Sequence, residues 1–267
     1  MIHNIVKDRS TRLFILLGGI FIANALIAEV IGVKIFSLEK TLGFDPFNFS
    51  LLGESGLGFS LTAGVLLWPV VFIMTDIINE YYGAKGVKLL SYLTVGLIAY
   101  AFIAFTVAIT LTPPGWWDGS NPNVPSLQHS YKAVLGQSNW IIIGSLIAFL
   151  IGQIVDVVTF QQIKKATGEN KIWLRSTGST LISQLIDSYV VLMVAFYIGA
   201  DWSVAKVLAI GTVNYIYKFV MAVVLTPVIY LVHNIIEKYL GHDLAAQMKR
   251  SAMGKHDEAP GDIPTAG

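Results

Sequence analysis

The sequence predicts an all-α integral membrane protein with six transmembrane helices, and three observations carry that expectation. First, 54% of the residues are hydrophobic, only 13% are charged, and the mean hydropathy is +0.65, well outside the soluble range. Second, several apolar stretches reach the roughly 20 residues that cross a bilayer. Third, the basic residues segregate. Threaded through six spans, Lys7, Arg9, Arg12, Lys85, Lys88, Lys164, Lys165, Lys171, Arg175, Lys238, Lys249, Arg250 and Lys255 fall on one side. Lys34, Lys40, Lys132 and Lys206 fall on the other, and Lys218 stays inside a span. The positive-inside rule then puts both termini in the cytoplasm. Composition also narrows function. A net charge of +1 offers nothing to nucleic acid, and with no cysteine there is neither a disulfide nor a thiolate metal site.

Residues 1–12 read as a short basic cytoplasmic segment. Helix one, Leu13 to Phe36, is apolar apart from Asn24, Glu29 and Lys34. Ala23-Asn24-Ala25 resembles a signal cleavage site, but the apolar run continues past it and reads as a span. Between Ser37 and Ser60, Phe47, Phe49 and Leu51, then Leu57, Phe59 and Leu61, alternate with polar or small residues around Gly53-Glu54-Ser55-Gly56. Period two around such a turn reads as a short β-hairpin between helices one and two, with an irregular interfacial loop as the alternative. Helix two is expected over Leu61–Asn79 with a kink at Pro69, and helix three over Val87–Leu111. A proline-rich loop, Thr112 to Gln137, carries Trp116-Trp117, which suits a membrane–water boundary. Helix four follows over Ser138–Gln161, then a basic connector with Lys164, Lys165, Lys171 and Arg175. Helix five is expected over Leu174–Ile198 and helix six from Val204 to His233 or beyond. Residues 13–240 thus form one six-helix domain, and 241–267 a polar cytoplasmic tail, disordered past Met253.

Function rests on polar side chains within these spans. Met74 to Gly83 reads M-T-D-I-I-N-E-Y-Y-G, which puts Asp76, Asn79 and Glu80 within an arc of about 100° on one helix face. Helix four carries Gln153 and Asp156. Helix five carries Thr180, Ser183, Gln184 and Asp187 at i, i+3, i+4 and i+7. Helix six carries Asn214 and Lys218, and helix one Asn24 and Glu29. Any one of these is explained by a helix–helix hydrogen bond or a snorkelling chain end. The set is not, because acids on separate spans are too costly to leave facing lipid. The simplest arrangement is one polar cavity lined by helices two, four, five and six, open or openable to the cytoplasm. Asp76 and Asp156 would lie in its cytoplasmic half, with Asp187 and Lys218 near the midplane. Lys218, the one central cation, should pair with Asp187. Carboxylates outnumber that cation, so a neutral or cationic ligand rich in N–H donors fits better than an anion. A guanine-like base offers adjacent N–H donors that one carboxylate can accept. Asn79, Gln153, Gln184 and Asn214 could meet its other edges, and Trp68, Phe72, Tyr189 and Tyr215 could stack on it. A polyamine, a vitamin or a proton-coupled cation remains open on composition.

Three stretches together resemble the queuosine precursor transporter family of the vitamin-uptake-transporter group. They are F-I-M-T-D-I-I-N-E-Y-Y-G (Phe72–Gly83), G-Q-I-V-D-V-V-T-F (Gly152–Phe160) with W-L-R-S-T-G-S-T-L-I-S-Q-L-I-D-S (Trp173–Ser188), and V-N-Y-I-Y-K-F (Val213–Phe219). The resemblance implies import of 7-cyano-7-deazaguanine, 7-aminomethyl-7-deazaguanine or queuine across a bacterial inner membrane. It carries over Asp76, Asn79, Glu80, Gln153, Asp156, Arg175, Gln184, Asp187, Asn214 and Lys218, with Arg175 either an interfacial anchor or a gate. No cofactor is implied. The expected partners are the bilayer and a purine-like small molecule, with a homodimer or an energy-coupling module left open. The alternative function is a substrate-binding subunit of an energy-coupling-factor importer, for which Gly18, Gly19, Ala23 and Ala25 offer a small-residue docking face. An intramembrane enzyme fits poorly. The chain has no H-E-x-x-H motif and no cysteine, and His3, His129, His233, His242 and His256 lie at or beyond helix ends, so no catalytic or metal-binding residue is expected.

Overall fold

Backbone that enters a bilayer must satisfy its hydrogen bonds internally, and this chain does so with helices. The computed structural model describes residues 8–168 and 171–253. Helix α1, Arg9–Ile31, starts at Asp8, whose carboxylate accepts from the N–H groups of Ser10 and Thr11. A small extended region follows: β1 Ile35–Ser37, the helical turn α2 Leu38–Thr41, β2 Phe49–Leu51, β3 Glu54–Leu57 and β4 Ser60–Thr62. β1 pairs antiparallel with β4, placing Phe36 opposite Leu61. β2 pairs antiparallel with β3, with Phe49 opposite Leu57 and Leu51 opposite Glu54. The turn between them is Leu52–Gly53, both at positive φ (53° and 86°), as a tight two-residue hairpin turn requires.

The remaining helices are α3 Trp68–Thr110, α4 Gly115–Asp118, α5 Leu127–Leu135, α6 Asn139–Thr167, α7 Ile172–Leu192, α8 Val204–Val224, α9 Thr226–Leu240 and α10 His242–Ala252. A π-helical turn, Met193–Ile198, extends α7. Among the described residues five helical stretches are long and apolar enough to cross a membrane, so this is a multi-pass, mostly helical membrane protein. One of them, α3, would be about 65 Å long if straight, twice the thickness of a bilayer core. It is not straight. Gly83 sits at φ 69° and ψ −176°, a conformation open to glycine and strained for other residues. Thr75 and Ser91 would be about 24 Å apart along a straight helix, yet both hydroxyls donate to Gln153 Oε1, at 3.1 and 3.5 Å. The chain therefore reverses at Gly83, and α3 is two limbs, residues 68–82 and 84–110, lying side by side. α1 packs on α3, α6 on α3 and α7, and α8 on α7. Phe21, Ala25, Val71, Ile77, Ile78, Phe149 and Val157 lie in the shared core.

Several expectations are corrected here. Leu61 does not begin a helix: it is a buried residue of β4, and the helix starts at Trp68 after a 3-10 turn, Ala63–Leu66. Pro69 therefore lies in the first turn, where its missing N–H costs nothing, and starts the helix instead of kinking it. Lys164 and Arg175 are not in a solvated connector; each is fully buried. Helix six breaks at Leu225, with Pro227 opening α9. The 112–137 loop contains α4 and α5. The tail is helical at its start, because Ala245 and Met248 of α10 pack into the core. The disorder expected after Met253, and the charges at Lys7 and Lys255, lie outside the described residues.

Candidate functional site

The first limb of α3 carries two acids one turn apart, and they have opposite surroundings. Glu80 is neutralised. Its Oε1 accepts from Arg175 of α7 at 2.8 Å, and its Oε2 lies 3.2 Å from the ammonium of Lys164 on α6. Lys164 also donates to the Glu80 carbonyl at 2.8 Å, and Arg175 to that of Gly168 at 3.0 Å. None of the three side chains is more than 1% exposed, so one carboxylate ties three helices together near the Gly83 end. Tyr81 beside it hydrogen-bonds His233 of α9 at 3.2 Å. Lys249 of α10 pairs with Glu237 and lies over the Tyr81 ring. That end of the bundle is shut.

Asp76 is different. Ser176 of α7 donates to its Oδ2, while Oδ1 is buried with no hydrogen-bond partner among the described residues. Asp76 lines a cleft between α3, α7 and α8–α9 with about 550 Å³ of free space, its mouth included. Trp68 and Phe72 form one wall, their rings stacked 6.2 Å apart, and Tyr217 forms another. Thr177, bonded to Thr226 at 2.9 Å, and Ile229 close the inner end. Gln184 also lines the cleft, and neither its amide oxygen nor its amide nitrogen has a partner among the described residues. Lys218 lines it further out, paired with Asp187 at 2.5 Å.

Helix geometry sets the length of this space. Asp76 is level with Ser176 and Lys218 with Asp187, positions separated by about 16 Å along α7. Exposure rises along that path from 1% at Asp76 to 20% for the Asp187 and Lys218 side chains. The cleft is therefore reached from the Trp68–Lys218 end, not from the Gly83 end as a cavity open on the N-terminal side would require.

The structure thus brings Asp76, Gln184, Lys218 and Trp68 to one cleft and distributes the other candidates around it. Asn79 accepts from Gln161 at 2.6 Å and reaches the Val157 carbonyl at 3.5 Å. Gln153 joins the two limbs of α3. Asp156 accepts from Ser183 at 3.2 Å, and its Oδ2 is buried without a partner among the described residues. Asn214 is half-buried, Tyr215 packs edge-on against Phe219, and Asn24 donates to the Ile20 carbonyl of its own helix. None of these six lines the cleft. Sequence reasoning missed Ser176, Tyr217 and Lys164. The i, i+4, i+8 row Tyr217–Met221–Leu225 would have found the second, and the face shared by Gln153, Asp156, Phe160 and Lys164 the third. Among the described residues no group of three or more His, Cys, Asp or Glu could hold a metal ion.

Fold and site together define a helical multi-pass membrane protein with a cleft between its helices that carries buried polar groups, an arrangement that suits a membrane transporter. Residues 62–232 match the family described as "Putative vitamin uptake transporter", and the chain belongs to that family. It is 28% identical over 178 residues to the "Probable queuosine precursor transporter" of Bacillus subtilis (strain 168), covering 65% of this chain and 72% of that protein. The protein of the same name from Haemophilus influenzae is 25% identical over 202 residues, 73% of this chain and 80% of its own length. The "Queuosine precursor transporter" of Escherichia coli (strain K12) is 27% identical over 174 residues, 65% and 72% of the two chains. The family resemblance read from the sequence holds. No solved structure matches the chain.

Proposed function

We propose that this protein imports queuosine precursors (7-cyano-7-deazaguanine, 7-aminomethyl-7-deazaguanine or queuine) across the bacterial inner membrane by secondary or facilitative transport. The two limbs of α3 count as two crossings and α8–α9 as one, giving six spans with both termini cytoplasmic. The base lies lengthwise in the cleft. Its N1–H and amino edge meets Asp76, its ring lies against the Trp68–Phe72 wall, and its five-membered ring points toward Gln184.

One observation carries this reading: Asp76 and Gln184 both line the cleft, and Asp76 Oδ1 and both polar atoms of the Gln184 amide are buried without a hydrogen-bond partner among the described residues. Leaving such groups unsatisfied costs on the order of 1–3 kcal/mol each, and a planar ligand with donors at both ends removes that cost. The Glu80–Lys164–Arg175 cluster acts as the closed cytoplasmic gate, with the cleft accessible from outside. Asp76→Asn replaces an acceptor with a donor while keeping the shape. Purified Asp76→Asn protein should insert normally and lose base binding by titration calorimetry; wild-type uptake by this variant in proteoliposomes would reject the site. Exchange of a proton on a buried acid as the base binds would couple uptake to a pH gradient, and uptake indifferent to an imposed gradient would remove that step.

A further inference from the structure

We infer that the outer end of the cleft selects the substituent on the base, favouring an uncharged hydrogen-bond acceptor over a cationic amine, with Lys218 as the discriminating residue. The inference rests on the base orientation proposed above and adds what that reading leaves open, which is the preferred substrate.

At the Asp76 end the cleft presents a carboxylate oxygen; at the other end it presents an ammonium and an amide. Lys218 lines the cleft, while Asp187, its partner, does not. The second oxygen of Asp187 points toward α6, 3.8 Å from where a side chain on Gly152 would begin. Glu29 of α1, the other acid near Asp187, is held by Ser145 at 3.0 Å and is likewise absent from the cleft wall. Asp187 thus holds the ammonium of Lys218 in place from behind the cleft wall.

A base seated with its amino edge on Asp76 points its five-membered ring outward. The ring N–H then falls to the Gln184 amide oxygen, which, like the amide nitrogen, has no partner among the described residues. The 7-substituent falls beside Lys218. A nitrile nitrogen there accepts a charge-assisted hydrogen bond. An aminomethyl group, a cation at neutral pH, meets a like charge there and is disfavoured relative to the nitrile.

The test is competition binding to purified protein with guanine, 7-cyano-7-deazaguanine and 7-aminomethyl-7-deazaguanine. Wild type should favour the cyano over the aminomethyl base by roughly tenfold or more, with guanine between them. Lys218→Met leaves Asp187 unpaired and should reverse that order. The double variant Asp187→Asn/Lys218→Met removes both charges, guards against misfolding of the single variant, and should bring the two substituted bases within about threefold of each other. If wild type binds both equally or prefers the amine, or if the double variant keeps the wild-type ratio, the inference falls while the import reading stands. If wild type binds none of the three, the import reading itself falls.

Discussion

Removing the carboxylate that ties α3, α6 and α7 together should unlock the inner end of the protein. In Glu80→Gln, Lys164 and Arg175 lose their shared counter-charge while all three positions stay fully buried. Breaking a buried pair by deleting one partner costs roughly 3–5 kcal/mol. At about 1.4 kcal/mol per tenfold, that shifts a two-state gate by roughly two to three and a half powers of ten. The chain has no cysteine, so a single Thr177→Cys substitution at the inner end of the cleft is a clean reporter. A membrane-impermeant maleimide applied to the Gly83 side should label Thr177→Cys slowly in the otherwise wild-type protein and at least about tenfold faster with Glu80→Gln added. If labelling from that side stays unchanged while the melting temperature falls, the ion cluster is structural and no gate.

Other consequences follow from single positions. Gly83→Ala forces a side chain into positive φ and within 3.1 Å of the Ala252 carbonyl; it should cost about 1–3 kcal/mol, visible as a lower melting temperature in detergent. Truncation after Leu240 removes Ala245 and Met248 from the core and breaks the Lys249–Glu237 pair; the truncated protein should melt earlier and expose Tyr81 to quenchers. Asp118 is held below the usual carboxylate range, first by the Gln128 backbone N–H and then by the Ser126 hydroxyl. Because folding lowers its pKa, its contribution is present above the unfolded value and lost as pH falls through the folded one. The protection of the Gln128 amide, taken relative to the intrinsic exchange rate at each pH, should therefore fall in acid, and Asp118→Asn should remove that fall.

What the sequence made legible was whatever burial in lipid dictates. Long apolar runs had to be helices. Lys218 had to find an acid, and Asp187 is the one it has. Asp76 had to face away from lipid, and it does. The remainder depended on long-range packing. Lys164 reads as a solvated helix end by local rules, and only the approach of Glu80, 84 positions away, turns it inward. Asn79 and Glu80 share a face with Asp76, but a shared face does not decide which neighbouring helix each residue meets. The hairpin turn falls at Leu52–Gly53 because register, set by Phe49 against Leu57, overrode the more glycine-rich stretch that follows. The rival energy-coupling reading loses part of its footing for a similar reason: Gly18 and Ala25 are buried within this chain, leaving Gly19 and Ala23 exposed on that face.

The placement of Ser176 beside Arg175 links the two acids of α3. Ser176 donates to Asp76 and Arg175 to Glu80, so adjacent residues of α7 hold acids one turn apart on α3. A base that satisfies Asp76 Oδ1 changes what Asp76 asks of Ser176. Any shift of that residue is carried by the backbone to Arg175, and so to the cluster that shuts the inner end. On the import reading proposed above, occupancy and gate would be coupled through a single peptide unit. Substrate should speed labelling of Thr177→Cys from the Gly83 side, and Ser176→Ala should abolish the increase while leaving base affinity within about threefold, since Asp76 Oδ1 is untouched. An increase that survives Ser176→Ala would break the link.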